Sequence, residues 1–200
     1  PQYPRGIQEG NGVPADGDLW VSYSVNKEDM WISRIPVPVE INASAHADDD
    51  FSKNKSIAEL TDWNIYSPVW APVSLEDQWL KLQDKDPFDY AKVERKIPAS
   101  KELKVSFDLK AGQNNKGTLH IEFLDENGIA CSRIELTDDG IFRLKGGSRF
   151  ANMMKYEAGK IYHVEAVLST VDRNIQVYVD GKRVGLRMFY APVAAVERIV

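Results

Sequence analysis

Aromatic side chains are dense between residues 63 and 90, and they are the first candidates for chemistry in this chain. The segment WNIYSPVWAPVSLEDQWLKLQD contains Trp63, Tyr66, Trp70 and Trp79. Rings at this density either pack the core of a β-sandwich or form a surface on which sugar rings stack. We expect most of them to pack the core, and those that stay exposed are candidates for sugar binding.

A sugar site of this kind also needs polar groups that orient the hydroxyl groups of the ligand. The amides of the AGQNNKG turn are suited to that role, because they both donate and accept hydrogen bonds. The candidate carbohydrate-binding residues are Trp63, Tyr66, Trp70, Tyr90, Gln113, Asn114, Asn115 and Tyr156.

Acidic residues suggest a cation site at one place in the sequence. Asp84, Asp86 and Asp89 are spaced i, i+2 and i+5, which resembles a cation-binding loop but lacks the glycine and distal glutamate of an EF-hand. The run 48–50 is a second acidic stretch, whose adjacent side chains point in different directions. We expect surface turns at both places. Ca²⁺ is the one cofactor that the sequence does not exclude.

Catalytic groups are not evident in the sequence. His46, His120 and His163 show no metal-ligand spacing, and the chain contains no GxSxG or GxGxxG motif. The acids that lie in predicted strands are expected on the solvent faces of those strands, where acids are commonplace; they are Glu122, Glu135 and Glu165. No catalytic residue is therefore assigned.

Composition excludes several other functions. The net charge is -5, and no stretch clusters Lys and Arg as a nucleic-acid partner would require. No apolar run approaches the ~20 residues of a membrane helix. Cys131 is the only cysteine, so an intrachain disulfide is impossible, and a packed or half-exposed structural thiol is expected rather than a reactive one.

The elements that must position these residues are β-strands. In IYHVEAVLSTVDRNIQVYVDGKRVG apolar and polar residues alternate, and the Asp-Gly pair at 180–181 is a strong hairpin signal. Only residues 151–157 suggest a short helical turn. The sequence predicts an all-β antiparallel sandwich, with strands at 79–82, 91–97, 103–109, 118–124, 131–136, 141–144, 161–168, 175–179 and 196–200.

The N-terminal part differs from this regular pattern. Residues 1–18 are rich in Pro and Gly and are predicted to be a loop. Two strands are predicted at 19–25 and 30–35, joined by a polar turn. The composition then becomes polar and acidic, which indicates a domain boundary near residues 40–48.

Several of these segments resemble one family of proteins. GDLWVSYSVNKEDMWISRIPVPV at 17–39, preceded by PRGIQEGNG at 4–12, is similar to the closing strands of the sialidase-like β-propeller (BNR-repeat) proteins of bacterial polysaccharide-using systems. Four further segments resemble the concanavalin A-like (laminin-G-like) jelly roll that follows the propeller in such proteins. They are DDFSKNKSIAELTDWNIYSPVWAPV, LQDKDPFDYAKVERKIP, AGQNNKGTLHIEFLDENG and YVDGKRV.

This resemblance implies that residues 1–40 are the end of a propeller-type domain plus a linker, and that residues 41–200 are a jelly-roll sandwich. It implies a secreted, periplasmic or outer-surface location, with the propeller of the same parent chain as a partner. The sialidase Asp-box, SxDxGxTW, is absent. The arginine triad, acidic base and tyrosine nucleophile of sialidases would lie on propeller blades outside this chain, so no catalytic residue is carried over.

Three functions are compatible with the sequence. The first is a non-catalytic carbohydrate-binding module of an extracytoplasmic sialidase-like or glycoside-processing protein. The second is a domain that supports the propeller through its aromatic surface. The third is a sandwich-fold glycoside hydrolase or polysaccharide lyase with its own active site, which would need paired acids or a Tyr/His/Arg set.

Overall fold

The computed structural model describes residues 5–7, 18–25, 29–36 and 47–200. The chain divides into two units, Pro1–Asn42 and Ala43–Val200. His46 and the domain boundary predicted after residue 40 lie outside the described residues. The assignment of the first unit to the end of a propeller stays a prediction.

The first unit contains a three-stranded antiparallel sheet in the order β1-β2-β3, with β1 at Arg5–Ile7, β2 at Asp18–Val25 and β3 at Asp29–Pro36. The two strands predicted at 19–25 and 30–35 are confirmed by β2 and β3. The loop predicted over residues 1–18 is wrong at β1. A strand of three residues is too short to show alternation, and β1 exists because it pairs with residues 20–22 of β2.

The larger sheet of the second unit has seven antiparallel strands in the order β12-β11-β10-β9-β16-β7-β4. Strand β4 forms one edge and β12 the other. The strands are β4 (Trp63–Tyr66), β7 (Lys92–Ser100), β9 (Leu119–Leu124), β10 (Ala130–Leu136), β11 (Ile141–Gly146), β12 (Arg149–Lys155) and β16 (Val196–Ile199).

A four-stranded antiparallel sheet forms the second layer, in the order β15-β14-β13-β8. Its strands are β8 (Glu102–Lys110), β13 (Ile161–Ser169), β14 (Asn174–Val179) and β15 (Lys182–Met188). A separate hairpin joins β5 (Val73–Glu76) to β6 (Trp79–Leu82), and Ile57–Glu59 is a single 3₁₀ turn.

The two layers pack face to face around one apolar core. Phe142 and Leu144 of the larger sheet lie in the same buried cluster as Val164 and Val177 of the smaller one. Burial of these side chains is the main favourable contribution to folding. The prediction of an all-β antiparallel sandwich is confirmed.

The helical turn predicted at residues 151–157 is wrong, because residues 149–155 form the edge strand β12. This strand pairs with β11 along its whole length, and the register shifts between Phe142 and Arg143. Its Met153 and Met154 pack against the core. A bulged edge strand with apolar neighbours on consecutive positions lacks the simple period that identifies a strand in a sequence.

The Asp180-Gly181 turn joins β14 to β15 as predicted. Both residues have positive φ, 50° for Asp180 and 76° for Gly181. Two consecutive residues with positive φ are characteristic of the type I′ turn, whose twist matches that of paired strands. Glycine at the second position adopts this conformation without the steric cost that a Cβ atom would bring.

Cys131 lies in the core with no exposed surface, and burial raises the pKa of its thiol to about 12. Because the thiolate is the nucleophile, we expect the native protein to resist a thiol-reactive disulfide reagent at about pH 8. The unfolded chain should react at once. Absorbance measures the rate of labelling. Fast labelling of the folded protein would contradict the buried position of Cys131.

Candidate functional site

Four exposed aromatic side chains lie on two loops beside the β4 edge of the larger sheet, and we call them the aromatic surface. Tyr66 ends β4, Trp70 lies in the β4–β5 loop, and Phe88 and Tyr90 lie in the β6–β7 loop. Their exposed fractions are 46% for Tyr66, 67% for Trp70, 95% for Phe88 and 59% for Tyr90. Isolated exposed rings are ordinary, but four within 25 residues form a candidate contact surface.

Hydrogen bonds connect the two loops of the aromatic surface. The Tyr66 hydroxyl donates to both carboxylate oxygens of Asp89, at 3.0 and 3.1 Å. This hydrogen bond raises the pKa of Tyr66. The rings of Tyr66 and Tyr90 lie 5.4 Å apart at 48°, and the Lys85 amide donates to the Trp70 carbonyl at 2.9 Å. Two of the rings are therefore oriented before any ligand arrives.

The acids whose spacing resembles a cation-binding loop make hydrogen bonds within and beside the β6–β7 loop. Asp84 Oδ1 accepts a hydrogen bond from the backbone amide of Asp86, and Asp86 Oδ1 accepts one from the backbone amide of Phe88, both at 2.9 Å. Asp89 holds Tyr66. Among the described residues, no group of three or more His, Cys, Asp or Glu side chains is arranged to hold a metal ion. The structure thus does not bring Asp84, Asp86 and Asp89 together as ligands.

The second acidic stretch contributes to folding contacts. Asp49 Oδ2 lies 3.1 Å from Nε of Arg95, a buried arginine of β7. Asp50 accepts hydrogen bonds from the hydroxyl and the amide of Ser52, which lower the pKa of its carboxyl group. These contacts fix the segment in front of β4, as expected for a surface turn.

Trp63 and Tyr156 are candidate stacking residues that the structure places elsewhere. Trp63 is half-buried, with its ring 5.8 Å from that of Phe51. Tyr156 is 4% exposed, and its hydroxyl donates to the Thr137 carbonyl at 2.7 Å. The expectation that Tyr156 is an exposed ring is therefore wrong. Tyr156 comes directly after β12 in the sequence, and its side chain lies in the core, where it packs edge-on against Phe142.

The predicted amide loop lies apart from the aromatic surface. Gln113 Nε2 donates to the Lys116 carbonyl at 2.9 Å, and Asn114 lies against Gly140. This loop leads into β9, which is three strand spacings, about 14 Å, from β4. The structure therefore does not bring Gln113, Asn114 and Asn115 together with the rings.

A second surface, absent from the predictions, lies on the outer face of the larger sheet, and we call it the polar face. It consists of two rows of side chains that run across four neighbouring strands, β9, β10, β11 and β12. The register defines one row as His120, Glu135, Arg143 and Asn152, and the other as Glu122, Arg133, Lys145 and Phe150. The residues that alternate with them, such as Ile134 and Leu144, face the core.

Glu135 is the centre of an ion-pair network on the polar face. Its side chain is only 5% exposed, and its oxygens lie 3.2 Å from Arg143 Nη2, 3.4 Å from Arg133 Nη1 and 3.4 Å from His120 Nε2. Arg133 also contacts Glu122 Oε1, at 2.6 Å through Nε. A carboxyl group with so little access to water depends on such partners to compensate for its desolvation.

Aromatic rings border the cations of this face. The Arg143 guanidinium lies 5.1 Å from the centre of the Phe150 ring. The Lys145 ammonium lies 5.6 Å from Phe150 and 4.4 Å from Tyr190. These distances are within the range of cation–π attraction. Burial, and then the charge of Arg133, lower the pKa of His120, so its imidazole is neutral at pH 7.

The expectation that Glu135 lies on the solvent face of its strand did not foresee the burial of its side chain by its neighbours on that face. The signal that could have found the network is the alternation of ionisable residues with apolar ones in HIE, SRIEL and FRLK, with acids in the first two segments and bases in the last two. The remaining candidates lie on the smaller sheet, where His163 pairs with Asp108 at 2.8 Å and Glu165 pairs with Lys104 at 2.7 Å.

Comparison with known proteins assigns the family. The family model described as "Sialidase-like, CBM domain", where CBM denotes a carbohydrate-binding module, matches residues 63–200. The chain belongs to this family. No curated protein matches it. Within the described residues, no helix has the length and apolar character needed to cross a bilayer.

Solved structures add one close relative and several distant ones. A structure named sialidase is 90% identical with a TM-score of 0.84, and the match covers 98% of this chain and 18% of that one. Sheep galectin-11 is 16% identical with a TM-score of 0.42, covering 53% of this chain and 85% of that one. A pentraxin from Limulus polyphemus is 23% identical with a TM-score of 0.39, covering 52% of each chain.

Proposed function

We propose that this chain is a non-catalytic carbohydrate-binding module of a sialidase-like protein, and that it binds glycan through the aromatic surface. The observation that carries the proposal is the set of four exposed rings at the β4 edge. Family membership supports the same ligand class.

The aromatic surface suits a sugar because one face of a pyranose ring presents C–H groups. An aromatic ring buries those groups and leaves the sugar hydroxyls to water or to polar neighbours. The Tyr66–Asp89 bond fixes one ring and Tyr90 lies against it, so little side-chain freedom is lost on binding. Asp89 also offers acceptor oxygens beside the rings.

The proposal extends to the protein of which this chain is a part. The chain spans 18% of the length of the sialidase structure that it matches. We propose that a BNR-repeat propeller, of which the sheet β1-β2-β3 is the last part, performs any hydrolysis, and that the parent is a secreted bacterial protein. Under this proposal the sandwich increases the residence time of the propeller on a polysaccharide.

The test is a glycan array followed by calorimetry with this chain, using plant, host and algal polysaccharides with and without Ca²⁺. We expect Trp70→Ala and Tyr90→Ala each to weaken binding about tenfold or more, since a stacked ring contributes roughly 1–2 kcal/mol. The matched control is Val171→Ala, which removes an equally exposed apolar side chain from the β13–β14 turn.

Circular dichroism and thermal melting should show that the three variants stay folded. If Val171→Ala binds like the original chain while the two ring variants do not, the aromatic surface is the site. Absence of binding by the folded chain to every polysaccharide would contradict the proposal. The aromatic surface would then be assigned a supporting role, in which it packs against another part of the parent protein. The exposed apolar side chains of Val69 and Phe88 are also suited to that role.

A further inference from the structure

We infer that the polar face is a second binding surface, separate from the aromatic surface, and that it takes a saccharide bearing a carboxylate group. The polar face lies on β9 to β12, at the opposite edge of the larger sheet from β4. The choice of a saccharide rests on the proposed function, whereas the choice of a carboxylate rests on the contacts within the polar face.

The charges of the polar face do not balance. Arg133, Arg143 and Lys145 supply three positive charges, and Glu122 and Glu135 supply two negative ones. Both acids are already paired with the arginines. Among the described residues, Lys145 has no carboxylate partner, and its ammonium lies over the Phe150 and Tyr190 rings. One positive charge is therefore available to an anionic ligand.

The donors that remain are close together. Arg143 Nη2 contacts Glu135, and the Arg143 side chain is 35% exposed, so its guanidinium can be reached by a ligand. Arg143 and Lys145 project from the same face of β11, and both cations lie within 6 Å of the Phe150 ring. A ligand carboxylate beside Lys145 and Arg143 would gain charge-assisted hydrogen bonds.

The surroundings of the two cations suit the rest of a sugar unit. Phe150 is 41% exposed and offers a ring face to the C–H groups of a pyranose. Asn152 is exposed and lies beside Arg143, on the neighbouring strand β12. The neutral His120 imidazole both donates and accepts hydrogen bonds. A monoanionic sugar unit thus finds an anion site, an apolar surface and hydroxyl partners on one face.

The first test compares charged and neutral forms of the same ligands by calorimetry with the 200-residue chain. The probes are tetragalacturonic acid with its methyl ester, and N-acetylneuraminyl-lactose with its methyl ester. We expect at least one acid to bind about tenfold or more tightly than its neutral counterpart, and to weaken as salt is added. The two pairs distinguish a uronic acid from a sialic acid as the source of the carboxylate.

The second test uses Lys145→Gln, with Lys104→Gln as the matched control. Lys104 lies on the outer face of the smaller sheet and is paired with Glu165, so its replacement changes the net charge equally without touching the polar face. We expect Lys145→Gln to lose the acid preference, by about tenfold to a hundredfold, and Lys104→Gln to keep it. Phe150→Ala should weaken binding of the acid as well.

Equal affinity for the acid and neutral members of both pairs would overturn this inference, as would full acid binding by Lys145→Gln. Binding of hexaglutamate but of neither acidic sugar would instead assign the surface to an acidic peptide. Trp70→Ala separates the two proposals. If Trp70→Ala loses acid binding while Lys145→Gln keeps it, all binding belongs to the aromatic surface. The reverse result supports two surfaces.

Discussion

Replacing Phe142 with alanine is expected to lower the free energy of unfolding of the sandwich by about 3–5 kcal/mol. Phe142 has no exposed surface, and it lies between the two sheets. Its ring packs edge-on against Tyr156 at 5.6 Å and against Tyr162 at 5.7 Å. Truncation leaves a cavity that these large neighbours cannot fill without leaving their own hydrogen bonds to Thr137 and Glu157.

The matched control is Phe150→Ala, which removes the same side chain from the adjacent strand β12. Phe150 is 41% exposed and lies outside the buried core, so we expect a loss below about 1 kcal/mol. Urea unfolding followed by tryptophan fluorescence measures both variants. Equal losses in the two variants would contradict the assignment of Phe142 to the centre of the core.

Replacing Glu135 with alanine is expected to destabilise the sandwich by about 2–3 kcal/mol, which is below the usual cost of breaking a fully buried pair. The variant leaves Arg133, Arg143 and His120 without their shared carboxylate. Arg133 keeps Glu122 and the cations retain some access to water, and these two features limit the loss. Glu135→Gln should cost less, because the amide still accepts one hydrogen bond.

The control for Glu135 is Glu165→Ala on the smaller sheet, where one exposed lysine is the partner. We expect a change within about 0.5 kcal/mol, as for ordinary surface ion pairs. Thermal melting at low and high salt provides the measurement. A Glu135→Ala variant as stable as Glu165→Ala would mean that the network on the polar face contributes no more than a surface pair.

The two candidate surfaces occupy opposite edges of one sheet, and each contains features that the other lacks. The aromatic surface has rings and one carboxylate, Asp89, whereas the polar face has cations with a single exposed ring, Phe150. The first is suited to a neutral sugar and the second to an anionic one. A polysaccharide with charged and uncharged units would be recognised by both.

Local pattern was sufficient to predict most of the architecture. Strict alternation identified β13 and β14, and the Asp180-Gly181 pair identified the turn that follows them, because side-chain period and turn chemistry depend on neighbours in sequence. The same local pattern placed Cys131 in a strand as a structural thiol, packed or half-exposed, and the structure buries it. It failed at β1 and β12, where a short length or a bulge removes the period and pairing with a distant strand decides the conformation.

The sequence by itself therefore determined that this chain is an antiparallel β-sandwich with a surplus of aromatic residues near one strand. Only the tertiary structure decided which rings are available, since Trp70 and Tyr90 are exposed while Tyr156 is buried at the other end of the same sheet. The polar face also exists only in the fold. Glu122, Arg133 and Lys145 become neighbours through the register of three strands. That register depends on the geometry of the connecting turns and on burial of one face of the sheet, and neither is read from a single strand.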